Sequence, residues 1–427
     1  MLQSNDQPQR ASDEGHLHYG FVVLGLVILV VFSALGLARF GYTSILPAMQ
    51  AALQLSNTQT GVLQSWNLIG YLVTVVFSGV LAARFGPRVV IAVGLLVVAL
   101  GMGLTGLIPT FGAGCAGRFL AGVGGASSNV PAMALLSAWF GARRRGLAAG
   151  AGAAGSSVGL IVTGPLVPAI LQRAGADGWR VSWAVLAGLT LLVFTAAALF
   201  LRNRPAEKGL RPIGESEAES RPAAAAASVL DWASVYRSRL LWKLAAIYFG
   251  FGFSYIIYST FFVRYLTGEA GFSRSGAGGL WLQVGVVSIV GGFLWGSVSD
   301  RWGRRAALFW VFGLQGTAFL LFGLGREAWS VYSSAALFAA TAWSVPALMA
   351  ALCGDLFGAR LAPAALGLIT LVFGLGQALG PYLAGAIADA THSFAPAFLL
   401  AGAVALLLGG GGSLFFLGGA SRRSVSG

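Results

Sequence analysis

The sequence predicts an all-α membrane protein: twelve transmembrane helices in two pseudo-symmetric six-helix halves. Three observations carry that prediction. The chain is 57% hydrophobic and 10% charged over 427 residues, and its mean hydropathy is +0.79. Its apolar runs extend for about 20 residues, enough to cross a bilayer core. The basic residues alternate between sides: of 27 Lys and Arg, 20 fall in the tails and every second loop, and 5 fall in the other loops. Finally, short motifs recur in order at an offset close to 217 residues.

Taken in order, the spans are 20–49, 58–82, 89–109, 112–140, 147–171, 181–201, 242–264, 277–299, 306–325, 329–356, 362–388 and 397–419. Residues 1–19 are polar and mixed in charge, and lack the ordered charge, apolar core and cleavage site of a signal peptide. They read as a cytosolic tail. An even number of spans places residues 420–427 on the same side. The basic excess on that side, with Arg173, Arg180, Arg264, Arg274 and Arg326 opposite, makes it the cytosol.

The net charge of +13 does not indicate nucleic acid, because the charges follow membrane topology. Cys115 and Cys353 fall in apolar segments of different halves and read as buried thiols, with a disulfide or metal pair as the alternative. Residues 202–241 form the one long polar interruption. They are expected to be a flexible cytosolic linker that closes with an amphipathic piece, Val229 to Leu240, on the membrane surface. The linker divides a half at 20–201 from a half at 242–419.

The halves repeat. Gly79-Val-Leu-Ala-Ala-Arg-Phe-Gly86-Pro-Arg88 returns as Gly296-Ser-Val-Ser-Asp-Arg-Trp-Gly303-Arg-Arg305, and Phe140-Gly-Ala-Arg143 as Phe357-Gly-Ala-Arg360. Val130-Pro-Ala132 returns as Val345-Pro-Ala347, and Gly164-Pro165 as Gly380-Pro381. Four matches in order indicate duplicated halves, an arrangement in which secondary transporters bind substrate near mid-membrane.

On these residues the chain resembles the major facilitator superfamily over essentially its full length. Gly296–Arg305 looks like its loop signature G-x-x-x-D-R-x-G-R-R. The first copy departs, with Ala83 at the acidic position and Pro87 at an arginine position. The resemblance implies a gate at the cytosolic mouth involving Arg84, Arg88, Asp300, Arg301 and Arg304. Arg118-Phe-Leu-Ala-Gly122-Val-Gly124 looks like a fourth-span signature, and Ala138–Gly159 is similar to monocarboxylate and oxalate/formate-like transporters. Ala38-Arg39-Phe-Gly-Tyr42 and Phe373–Pro381 resemble a bacterial YbfB-type branch. The eighth span carries Trp281 and Gln283 where the monocarboxylate pattern has an arginine, so that pattern's binding mode does not transfer intact.

Charge inside the spans points to the chemistry. Arg39 and Arg118 are the two basic residues the orientation rule leaves unexplained, and all 14 acidic residues can be placed outside the spans. A charge in hydrocarbon is costly, so it faces a partner or a wet path. With no carboxylate to pair them, the fitting partner is an external anion, which a guanidinium holds bidentately. If Pro47 ends the first span, Arg39 lies about 12 Å below the outer surface. Arg118 comes to about 9 Å, and the superfamily arrangement would place both in one pocket. Snorkelling of Arg39 to the interface and helix packing by Arg118 are the structural alternatives.

Tyr42, Gln64, Asn67, Asn129, Tyr255, Tyr258, Gln283 and Gln377 are the other candidate substrate contacts. Tyr248, Tyr255, Tyr258 and Phe262 share a helical face, and the amides need partners in lipid. Packing and interhelical bonding compete with ligation for each. Glycines of the fifth and eleventh spans read as close-packing positions, with Gly164-Pro165 and Gly380-Pro381 as kinks or pivots. No phosphate-binding loop, metal cluster or nucleophile–base set is present in the sequence. The reading is therefore neither an enzyme nor an ATP-driven pump, with no cofactor. It is a monomeric inner-membrane carrier of a small, monocarboxylate-like organic anion. It works by alternating access, through proton symport or anion exchange; the alternative is proton-coupled efflux of drugs or hydrophobic compounds. Its partners are the anion, protons and the lipid bilayer, not nucleic acid.

Overall fold

The computed structural model describes residues 18–215, 236–325 and 327–417. Eleven continuous helical stretches among them are long and apolar enough to cross a membrane. One of these, Arg143–Phe200, has 58 residues, about 87 Å of helix against a core of about 30 Å. A 3-10 turn at Gly175–Asp177 folds it back on itself, giving two crossings and twelve in all.

We number the crossings α1 Tyr19–Leu53, α2 Asn57–Phe85, α3 Pro87–Leu107, α4 Phe111–Trp139, α5 (Ala142–Ala153 continued by Gly155–Ala174), α6 Gly178–Phe200, α7 Arg239–Gly268, α8 Arg274–Trp302, α9 Arg304–Leu324, α10 Ala328–Gly358, α11 Leu361–Thr391 and α12 Ala395–Phe415. Successive helices alternate in direction. All the arginine-rich loops therefore meet at one end of the bundle, here the basic end; the other is the far end.

Local chemistry sets the helix limits. Ser56 and Gln59 form a capping box at the start of α2, and Thr110 and Ser273 cap α4 and α8. At the two loop signatures the chain turns at Gly86 (φ 83°) and Gly303 (φ 86°), a backbone state that glycine tolerates best. Pro87 then opens α3 where its missing N–H costs nothing.

Pro47 does not end the first span. α1 continues through it to Leu53, because the neighbouring helices supply the packing that a lone proline would forfeit. Arg39 thus sits about 21 Å from that end of the helix, near mid-membrane rather than at the outer interface. A wide π turn, Phe32–Phe40, interrupts α1 at this level.

Residues 202–215 do not hang free. Ile213 exchanges backbone hydrogen bonds with Trp139 and Gly141, and the His18 ring meets the Arg211 carbonyl at 3.1 Å. This piece is docked on the basic end of the N-terminal helices. The amphipathic piece expected at 229–240 lies largely outside the described residues.

Between the N- and C-terminal helices, the contacts concentrate from the far end to mid-membrane. On one flank α2 packs on α11, from Asn57 at Gly385 and Gly61 at Pro381 down to Leu72 at Gly374. On the other, α5 packs on α8, from Gly164 at Gly278 down to a 2.8 Å hydrogen bond between Ser157 and Ser288. Between them Thr43 donates to the Ser259 carbonyl at 2.7 Å, and Arg264 to Gln50 at 2.6 Å. These contacts join the two halves from the far end to mid-membrane.

Candidate functional site

The π turn in α1 builds the site. Gly41 donates to the Gly36 carbonyl, five residues back, so the helical ladder changes register beside Arg39. Two glycines allow α5 to reach it: a Cβ on Gly159 would lie 2.1 Å from the Gly36 Cα. No other residue fits that approach. The Ala38 carbonyl accepts from Arg118 Nη1 at 2.6 Å.

Arg118 is consequently committed. It is 0% exposed, its Nη2 donates to Gln64 Oε1 at 2.5 Å, and Tyr42 and Trp183 lie against its guanidinium. Asn67 donates to the Arg118 carbonyl at 3.1 Å. Arg118 spends its Nη donors on the protein, as in the packing alternative, and remains within electrostatic reach of Arg39. Arg118, Gln64 and Asn67 form a buried clamp among α1, α2 and α4. Tyr42 joins the same packing and donates to the Thr60 carbonyl at 2.8 Å.

Arg39 is different. It is 6% exposed, and its Nε, like that of Arg118, is buried with no hydrogen-bond partner; unlike Arg118, it sits where the C-terminal half meets it. Its guanidinium lies 4.6 Å from the centre of the Tyr71 ring. The Tyr71 hydroxyl accepts from Asn129 at 2.9 Å. From the other half, the Tyr255 hydroxyl comes within hydrogen-bonding reach of Arg39 and electrostatic reach of Tyr71, and Gln377 donates to that hydroxyl. Phe40, Trp343 and Phe373 wall the group: Trp343 lies 5.2 Å from Phe40 and 6.2 Å from Tyr255, and Phe373 is 6.1 Å from Tyr255. Tyr71, Asn129, Trp343 and Phe373 are half-buried, so the cluster has an accessible edge.

Thus Arg39, Asn129, Tyr255 and Gln377 come together, and Tyr71, Trp343 and Phe373 join them without standing out in the sequence. Their one sequence signal is an aromatic ring at the level of a charged residue. Two further expectations fail. Tyr258 is fully buried among Phe319, Phe322 and Phe338, and its hydroxyl meets Ser334 at 2.8 Å, so it belongs to the core of the C-terminal half. Gln283 is exposed on the outer surface of α8, beside Tyr332 of α10. Helix rotation turns both away from the centre.

At the basic end, Arg304 bonds Asp300 at 2.6 Å and Asp355 at 3.0 Å, tying α8, α9 and α10 together. The acid-free first copy uses neutral acceptors instead. Arg88 donates to the Ala198 carbonyl at the end of α6, and its backbone N–H to Asn203 Oδ1 at 2.8 Å. Arg84 lies over Phe85, and both it and Arg301 are exposed. A cleft of about 840 Å³ opens here between α2, α4 and Asn203–Glu207, and Arg39 is not part of its lining. Cys115 and Cys353 are free thiols. No group of His, Cys, Asp or Glu among the described residues is arranged to hold a metal.

The comparisons agree with this architecture. The family model described as "Uncharacterised MFS-type transporter YbfB" matches residues 31–411. The chain is 27% identical over 406 residues to a probable sulfoacetate transporter of Cupriavidus necator, covering 90% of each chain. It is 25% identical over 371 residues to a hexuronate transporter of Bacillus subtilis, covering 84% of this chain and 86% of the relative. Among solved structures, a bacterial homolog of the human lysosomal transporter Spinster superposes with a TM-score of 0.73 at 16% identity, over 96% of this chain and 98% of that one. That structure is inward-facing and unoccupied.

Proposed function

We propose that this chain, which belongs to the major facilitator superfamily as a YbfB-type transporter, carries a small organic anion across the bacterial inner membrane by alternating access. The carrying observation is the place of the Arg39 guanidinium, between Tyr71 of one half and Tyr255 of the other, with no carboxylate among the described residues paired to it. A guanidinium left without a carboxylate at mid-membrane binds an anion more favourably than it binds nothing. Relatives named for hexuronate, which bears one carboxylate, and for sulfoacetate, which bears a carboxylate and a sulfonate, support organic anions as the class and leave the number of charges to experiment.

In this reading the 20–201 and 242–419 halves rock about the Arg39–Tyr255 level. The basic end faces the cytosol, with both termini there, and the monomer is the working unit. Among the described residues no carboxylate reaches the Arg39 group, so the coupling proton travels with a carboxylic acid substrate, or a second anion is exchanged for the first.

Purified protein in liposomes tests this directly. An inward proton gradient or an internal anion load is expected to drive uptake of radiolabelled hexuronate or propionate. Arg39→Gln is expected to abolish it. Unchanged affinity in Arg39→Gln, or competition by cationic dyes without competition by carboxylates, would overturn the reading.

A further inference from the structure

We infer that the Arg39 site selects monoanions with a single carboxylate or sulfonate head, and that Tyr71 and Tyr255 make the selection by each donating a phenol hydrogen to that head. The inference rests on the anion-carrier reading above and specifies its substrate class.

The hydrogen-bond directions point to this role. Tyr71 accepts from Asn129, and Tyr255 accepts from Gln377. A phenol has one hydrogen to give. Once an amide donor occupies the oxygen, what the hydroxyl offers a third party is that hydrogen. Neither phenol hydrogen has an acceptor among the described residues, and Arg39 Nε has none either. Three donors from both halves therefore lie in one cluster with no carboxylate among the described residues to accept from them, which suits an oxygen-bearing anion that only accepts.

Charge counting then sets the class. Arg118 cannot serve a second anionic group, because its Nη atoms are bonded to Ala38 and Gln64 and it is sealed from the cavity. A dianion would leave one charge in a low-dielectric pocket with no partner. A zwitterion would do the same with its ammonium, since no carboxylate among the described residues faces the site. Phe40, Trp343 and Phe373 offer the body of the ligand a flat apolar wall. The preferred body is short and apolar, or a ring.

Isothermal titration calorimetry on the full-length protein in nanodiscs measures binding directly. The probes are propionate and benzoate as monoanions, malonate and sulfoacetate as dianions, and β-alanine as the zwitterion. Propionate and benzoate are expected to bind at least tenfold more tightly than the other three. Tyr71→Phe and Tyr255→Phe are each expected to weaken monoanion binding about tenfold, the size of one hydrogen bond to a charged group, whereas Asn129→Leu and Gln377→Leu, which break the same amide–phenol bonds but keep the phenol hydrogens, are not. In Asn129→Leu and Gln377→Leu the phenol oxygens are freed to accept as well, so the preference for monoanions over β-alanine is expected to narrow while monoanion affinity is retained. Equal or tighter binding of dianions overturns the selection and leaves the anion carrier standing. Phe variants that bind as the wild type overturn the phenol role. Binding unaffected by Arg39→Gln overturns the underlying site as well.

Discussion

Asp389 at the far end of α11 caps α2 at Asn57, across the boundary between the two halves. Its carboxylate accepts the Asn57 and Thr58 backbone N–H groups, each at 2.8 Å, and the Thr58 hydroxyl at 2.6 Å. A carboxylate at a helix N-terminus satisfies donors the helix cannot and complements its dipole. Asn57 in turn accepts from Gln50, which accepts from Arg264 of α7. A continuous polar chain closes the far mouth.

Breaking this link is expected to open that mouth. Asp389→Ala leaves two backbone donors unsatisfied and removes the charge, a loss of about 2 kcal/mol, or about thirtyfold in the closed-to-open ratio. A cysteine placed at Thr43 should then react faster with a thiol reagent added from the far side. An unchanged rate would show that the apolar contacts alone hold the mouth shut.

Arg118 is expected to act through structure. Arg118→Met leaves the Ala38 carbonyl and Gln64 unpaired in the interior, costing about 1–3 kcal/mol for each group. The thermal midpoint should fall markedly. The loss of affinity should be smaller than that of Arg39→Gln. A variant of normal stability with no anion binding would place Arg118 in contact with the ligand after all.

Gln283 gives the opposite expectation. Its side chain is exposed on the outer surface of α8, so Gln283→Leu should leave the half-saturating concentration for uptake within about twofold and should not lower stability. A large rise in that concentration would return Gln283 to the binding site.

The glycine pair is a packing test. At Gly159 an added methyl would lie 2.1 Å from the Gly36 Cα and 2.6 Å from its carbonyl carbon. Gly159→Ala must push α5 off the π turn, costing about 1–3 kcal/mol and displacing Arg39. Uptake should fall severely in Gly159→Ala. The same change at Gly146, where an added Cβ meets nothing within 4 Å, should be tolerated.

Much of the fold is legible in the order of the residues. Span positions follow from hydropathy, sidedness from arginine placement and the internal repeat from recurring glycine, proline and arginine positions; none of these depends on a helix's neighbours. Pro47 misleads, because a proline usually ends a helix, and here the surrounding helices hold α1 together through it. The linker misleads too, because a polar composition suggests flexibility and does not reveal that Ile213 pairs with the chain at Trp139.

Composition and order suffice to count charges, and so they establish that two guanidinia stand in the membrane without a carboxylate. Which of the two spends its Nη donors inside the N-terminal half and which faces the other half depends on packing in three dimensions. Arg118 finds its acceptors 54 and 80 residues away in sequence, at Gln64 and Ala38. Helix rotation, the π turn and the Gly36–Gly159 approach set those distances. Rotation likewise turns Tyr258 and Gln283 away and brings Tyr71 in. Pairing is a property of packed helices, and hydropathy along a single chain does not contain it.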